Sequence, residues 1–244
     1  AYLFKKAMRG KYKLVKRYPL TCMEAFEGRS LPNLQSDYEQ IMKKYTSVWR
    51  NVRSAIALKQ KSKEWDRLTF DVIKDYLFVN RIAPQDELED VFEEHEEILR
   101  ELRYLRVKVS SLKIPDGSND LPKEPPDVVD KMKMIPPGEN FRFLVGTCWE
   151  LRRKGVSQIY RRLHPLKPSY TVVAYGGGGM MMYHYDRDRS ALTNREKARL
   201  QTFPDSFRFV GGYSTVKAEI GEAVPPLLAK RIAEALYQLL RFIE

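Results

Sequence analysis

Thr193 and Glu196, followed by proline at position 204, constrain this chain more tightly than any other feature. T-x-x-E is a capping box: the threonine hydroxyl accepts from the amide three residues on, and the carboxylate reaches back to the threonine's own amide. A helix therefore starts at Asn194. It must stop before Pro204, which lacks an amide hydrogen and disfavours helical geometry in the residue before it. Within that helix Arg195 and Arg199 stand at i and i+4 and share a face, while Glu196 is already engaged by the cap. The plainer reading of these charges is structural.

The surrounding residues match a known pattern densely. Leu192-Thr193, Arg195-Glu196, Ala198-Arg199-Leu200-Gln201 and Phe203-Pro204-Asp205-Ser206-Phe207 form one block, and Ile220-Gly221 with Ala223-Val224-Pro225-Pro226 and the helix after them form a second. Together they resemble the ninth and tenth motif blocks of DNA cytosine-5 methyltransferases. Upstream, Tyr160-Arg161-Arg162-Leu163, Pro168, Thr171 and Ala174-Tyr175-Gly176-Gly177-Gly178-Gly179 resemble the core of that family's target-recognition domain, and Ile135 to Phe141 its opening. Met23 to Tyr45 resembles, less specifically, the segment after the family's eighth block.

The resemblance implies an α+β chain with a helical segment over 1–113, a linker over 114–130, a small mixed α/β recognition domain over 131–188 and the two last blocks over 189–244. The C-terminal helix would complete a Rossmann-like methyltransferase domain carried by a partner. Implied DNA contacts are Arg161 and Arg162 on base edges or phosphates, Thr171 on a phosphate beside the flipped nucleotide, and Gly176, Gly177, Gly178 and Gly179 at a close groove approach. Arg187 and Arg189 would add electrostatic affinity, or simply be solvated. Gly221, Glu222, Ala223 and Val224 would border S-adenosylmethionine, held mainly by the catalytic half. The family usually has Asn where this chain has Glu222 and Gln where it has Glu219. A carboxylate at 222 would repel the cofactor's own carboxylate yet attract its sulfonium.

Methylating C5 of cytosine requires a thiolate to add to C6 and a carboxyl group to protonate N3. The family draws these from Pro-Cys and Glu-Asn-Val motifs, and neither is in this sequence. Cys22 in LTCME and Cys148 in GTCWE both follow threonine, and nothing nearby marks a low-pKa thiolate; each reads more simply as a small interior residue. Glu139-Asn140 lies in a Pro-Pro-Gly turn instead of at a strand end, so it is not that pair. Gly176 to Gly179 is not a dinucleotide loop either, since position 181 is Met. The expected enzyme is thus a DNA methyltransferase, of restriction-modification type, that acts only with a catalytic half supplied elsewhere.

Charge is consistent with a nucleic-acid partner. The 244 residues carry a net charge of +11, unevenly distributed: 15 basic and 4 acidic residues over 1–63, 9 and 18 over 64–130, and 19 and 10 over 131–244. Two basic segments flank an acidic middle, and phosphate is attracted to such ends. Two cysteines do not make a disulfide scaffold, no apolar run approaches about 20 residues, and no signal peptide opens the sequence. A cytoplasmic protein with no membrane partner is expected. Ala1 fits a residue exposed by removal of an initiator methionine, or the edge of a fragment.

Asp37 to Leu58 and Glu64 to Phe78 read as helices. A longer one is expected from Gln85 to about Val107, where Leu88, Val91, Phe92, His95, Ile98, Leu99, Leu102 and Leu105 make an apolar stripe. That stripe either packs on this chain's own helices or docks to another subunit. Its lone His is a core or interface residue, with no Cys/His spacing for zinc. Short β-like runs follow at Phe141 to Val145, Tyr170 to Ala174 and Met180 to Tyr185. A last helix is expected over Pro226 to Phe242, with Leu228, Ile232, Leu236 and Leu239 on one face. A non-catalytic DNA-binding protein derived from such an enzyme is the rival to the methyltransferase reading.

Overall fold

A computed structural model describes residues 4–8, 11–14, 20–30, 85–145, 147–150, 159–175, 182–186 and 191–241, with scattered positions between 34 and 44. The helices expected over 37–58 and 64–78 lie almost wholly outside the described residues. Strands β1 (Phe4–Met8) and β2 (Lys11–Leu14) form an antiparallel hairpin in which Phe4 faces Leu14 and Met8 faces Lys11. The sequence reading had placed only helix in this region.

Helix α1 (Cys22–Glu27) owes its start to a second capping box. Thr21 Oγ1 accepts from the Glu24 amide at 3.2 Å, and Glu24 Oε2 accepts from the Thr21 amide at 3.0 Å. It ends at Gly28, whose φ of 65° is left-handed and whose surroundings admit no side chain: an added Cβ would lie 1.9 Å from the Tyr104 carbonyl oxygen. The helix is buried along most of its length, and Cys22 and Met23 donate their amides to the carbonyls of Lys167 and Pro165.

Helix α2 (Gln85–Glu101) stops short of the expected Val107. Arg103 and Arg106 adopt φ of 61° and 62°, values that no right-handed helix accommodates. His95, Leu99, Leu102 and Tyr104 are nonetheless buried within this chain, so the described part of the stripe packs on the chain itself.

The segment expected as a linker is instead partly built in. Asp116, Ser118 and Asn119 hydrogen-bond to residues 193–209, and α3 (Pro126–Met134) occupies its end. Phe141–Leu144, expected as β, is a 3-10 turn because the Asn140 side chain caps the Arg142 amide at 2.9 Å. Among the described residues of 131–188 the β structure reduces to single bridges, with Tyr183 pairing parallel to Arg162 and antiparallel to Ala191.

Helices α4 (Asn194–Leu200), α5 (Tyr213–Glu222) and α6 (Pro226–Arg241) complete the chain. The main core gathers Met23 and Phe26 of α1, Leu163, Val172 and Tyr185 of the recognition part, and Leu192, Ala198, Phe203, Val216 and Ile220. One apolar nucleus therefore joins α1, the recognition segment and the two last blocks.

Candidate DNA and cofactor interface

Helix α4 is the scaffold. Its capping box is formed as the spacing requires, with Thr193 Oγ1 accepting from Glu196 N at 3.0 Å and Glu196 Oε2 from Thr193 N at 2.8 Å. Both arginines on its shared face are fully buried. Arg195 donates to Ser118 Oγ (3.0 Å), Asp116 Oδ2 (2.9 Å) and the Phe207 carbonyl (3.0 Å), and its guanidinium stacks 5.0 Å from the Phe209 ring. Burial works against the Asp116 carboxylate, but hydrogen bonds from Ser118 and the Phe209 amide and the charge of Arg195 outweigh it and hold its pKa low.

Arg199 grips Asp205 with two parallel bonds, Nε to Oδ1 at 3.0 Å and Nη2 to Oδ2 at 2.5 Å. Its third nitrogen donates to the carbonyls of Ala25 (2.8 Å) and Val107 (2.9 Å), and Tyr104 lies face-on at 4.5 Å. The plainer reading of these charges is what the structure contains: they tie α1, the turn after α2 and residues 203–209 to α4. Lys197 is also buried, and desolvation with the nearby charge of Lys217 lowers its pKa to about 8.

The residues expected to touch DNA separate into two kinds. Arg162 is fully buried and donates to the carbonyls of Met132 (2.7 Å), Ile135 (2.9 Å) and His184 (3.2 Å). The first two lie at the C-terminal end of α3, where the helix dipole favours a cation. In this structure Arg162 is thus a correction to the sequence reading: its guanidinium organises the recognition domain internally and does not face solvent. Arg161, its neighbour, points the other way, half-exposed with its guanidinium 4.5 Å over the Tyr170 ring. Thr171, Val173 and Tyr175 are exposed while Val172 between them is buried, as alternation along an extended segment requires. Arg161 and Tyr170 form an accessible basic and aromatic pair, and Thr171, Val173 and Tyr175 form an exposed row beside it in the chain. Gly176 to Gly179, Arg187 and Arg189 lie outside the described residues.

The tenth-block turn meets this surface directly. Gly221 abuts the recognition segment so closely that an added Cβ would lie 2.2 Å from the Ala174 amide nitrogen. Beside it the exposed Tyr175 phenol donates to Glu222, a partnership the sequence reading did not foresee. Glu222 and Val224 are exposed and Gly221 and Ala223 partly so.

The two cysteines differ in setting, and Cys148, expected in the interior, lies at the surface. Burial raises the Cys22 thiol far above its ordinary value, and Cys148 is exposed. Asn140 of the rejected Glu-Asn pair is engaged as the cap described above. Among the described residues no cluster of three or more His, Cys, Asp or Glu could hold a metal, and no helix is long and apolar enough to cross a membrane.

Helix α6 carries no buried residue. It is attached through its first turn, where the Leu227 amide donates to Thr202 Oγ1 at 3.0 Å and Lys230 pairs with Glu101 of α2 at 2.5 Å. Arg231, Glu234 and Gln238 overlook a groove that also includes Leu20, Ile98 and Arg199. Leu228, the first residue of the apolar stripe, lines the same groove; Ile232, Leu236 and Leu239 do not line it and are 50%, 55% and 60% exposed.

Comparison with known proteins places these elements. The family model described as C-5 cytosine-specific DNA methylase matches residues 20–238. Over 233 residues the chain is 55% identical to the DNA (cytosine-5-)-methyltransferase M.ApeKI of Aeropyrum pernix, covering 95% of this chain and 50% of that protein. It is 48% identical over 127 residues to the type II methyltransferase M.BbvI of Brevibacillus brevis, 48% of this chain and 32% of that one. Against the type II methyltransferase M.NgoFVII of Neisseria gonorrhoeae it is 40% identical over 129 residues, 52% of this chain and 34% of that one. The chain spans half the length of the first relative and about a third of the other two. It belongs to the C-5 cytosine-specific DNA methylase family.

Proposed function

We propose that this chain is the target-recognition half of a DNA cytosine-5 methyltransferase of restriction-modification type. It binds duplex DNA and completes a catalytic domain supplied by residues outside it. The observation that carries this reading is α6: a helix of 16 residues with none buried, whose leucine and isoleucine stripe lies open to solvent. Isolated apolar side chains on a surface are ordinary, but a continuous helical stripe is the mark of a contact surface. Docked against the catalytic half, α6 would bring the Gly221 to Val224 turn beside the S-adenosylmethionine site.

In the proposed reaction S-adenosylmethionine supplies the methyl group, and the catalytic half supplies the thiolate and the proton donor. The residues of this chain do three other things. Arg161 contributes positive charge and Thr171 a hydroxyl for phosphate, which holds the duplex in register. The segment from Tyr170 to Tyr175 presents its exposed side to the duplex from which the cytosine is extruded. Arg162, Arg195 and Arg199 hold these elements in place from within.

The test is the double substitution Ile232→Asp with Leu236→Asp. Burying one such side chain is worth about 1.5–3 kcal/mol, so losing two weakens association about a hundredfold or more. Co-purification with the catalytic half should be lost while circular dichroism of this chain is unchanged. A variant that unfolds yet still co-purifies would place α6 in this chain's own core and overturn the proposal.

A further inference from the structure

Two contacts of different kinds join the C-terminal end of α5 to the exposed recognition segment. One is backbone against backbone, where Gly221 meets Val173 and Ala174 with no room for a side chain. The other is the hydrogen bond from the Tyr175 phenol to Glu222. Tyr175 is 71% exposed, so this bond lies on the surface and adds little to the stability of the core. A glutamate presents a charged acceptor, which makes a stronger bond to a phenol than an amide does.

We propose that Glu222 is a positioning residue for DNA binding: through Tyr175 it fixes the segment Tyr170 to Tyr175, and with it Thr171 and the Arg161–Tyr170 stack, relative to the tenth-block turn. The proposal rests on the DNA-binding reading above. Val172 in the main core and the Arg161 stack on Tyr170 anchor one end of the segment; without the clasp its Tyr175 end is held by the Gly221 contact, and that end is ordered by the DNA at an entropic cost. Glu222 thus does not meet the cofactor's charges freely, because its carboxylate is already engaged by a donor from the recognition part.

The experiment uses this chain and a fluorescein-labelled DNA duplex, with affinity read by anisotropy at low salt. Tyr175→Phe removes the donor and keeps the ring, Glu222→Ala removes the acceptor, and Glu222→Gln keeps an acceptor without charge. Loss of one hydrogen bond corresponds to about a fivefold change, so Tyr175→Phe and Glu222→Ala should weaken binding about fivefold, with Glu222→Gln, which keeps a weaker acceptor, between Glu222→Ala and the parent. Their melting temperatures should match the parent, which separates positioning from folding. A second readout needs no DNA: Glu222 raises the Tyr175 phenol pKa through its hydrogen bond first and its charge second. Ring carbon-13 shifts assigned with Tyr175→Phe should therefore titrate at lower pH in Glu222→Ala. Parental binding matched by all three variants, or Glu222→Gln as weak as Glu222→Ala, would overturn the positioning role alone. No binding by the parent chain would overturn the DNA reading itself, and the positioning role with it.

Discussion

Arg199 and Asp205 lie six residues apart and close a two-bonded ion pair across the turn that ends α4, with the Arg199 side chain fully buried and that of Asp205 9% exposed. Removing one partner of a buried pair leaves an uncompensated charge, at a cost of about 3–5 kcal/mol. Asp205→Asn and Arg199→Ala should each lower the unfolding free energy of this chain, read by urea denaturation, by that amount. Arg199→Lys should not restore it, since an ammonium cannot reproduce the parallel bonds to Asp205 and the two carbonyl contacts. A midpoint unchanged by Asp205→Asn would show the pair to be incidental.

Arg161 and Arg162 are adjacent in sequence and opposite in consequence. Arg161→Ala should leave stability unchanged, weaken duplex binding at all sequences and reduce the salt slope by about one. Arg162→Ala removes three hydrogen bonds to backbone carbonyls and should cost a few kcal/mol of stability, with DNA binding lost only as the recognition part loosens. Thermal melts and salt titrations of the two variants separate the roles. Equal effects on the salt slope would contradict the assignment.

This pair also shows where sequence reading reaches its limit. The α4 capping box, the stop before Pro204 and the limits of α6 were legible because they depend on neighbours in the chain. The direction of Arg162 was not, because its acceptors are carbonyls 27 and 30 residues away and carry no side-chain signal. The same holds for Asp116, read as linker, which meets Arg195 at a separation of 79 residues. The Thr21–Glu24 box was overlooked although T-x-x-E stands openly in LTCME. Tyr104 was overlooked for another reason: the α2 stripe was extended past Glu101, and Tyr104 falls off that periodicity while donating to the Phe203 carbonyl at 2.5 Å.

His164 sets a pH dependence. It is buried, accepts from the Leu166 amide at 3.1 Å, and has its pKa lowered from 6.5 to about 3, by desolvation first and by Lys167 second. The folded value lies below the unfolded one, so the stability it contributes is present above about pH 6.5 and falls as pH drops from there towards 3. The slope is at most about 1.4 kcal/mol per pH unit. Urea denaturation between neutral and mildly acid pH should show this decline, and His164→Gln should flatten it. Parallel curves for the two proteins would remove His164 from the account.

The cysteines differ in accessibility. Cys148 should react with a thiol reagent in the native chain, and Cys22 only after unfolding, because burial both hides it and raises its pKa. Rapid native labelling at Cys22 would contradict its place in the core.

The central claim is that this chain recognises and completes while another supplies the chemistry. Purified chain is incubated with duplex DNA and S-adenosylmethionine carrying a labelled methyl group, alone and with a catalytic half that contains the Pro-Cys and Glu-Asn-Val motifs. The account predicts no labelled 5-methylcytosine from the chain alone, and label once the two are combined. Labelled 5-methylcytosine formed by the chain alone would contradict it.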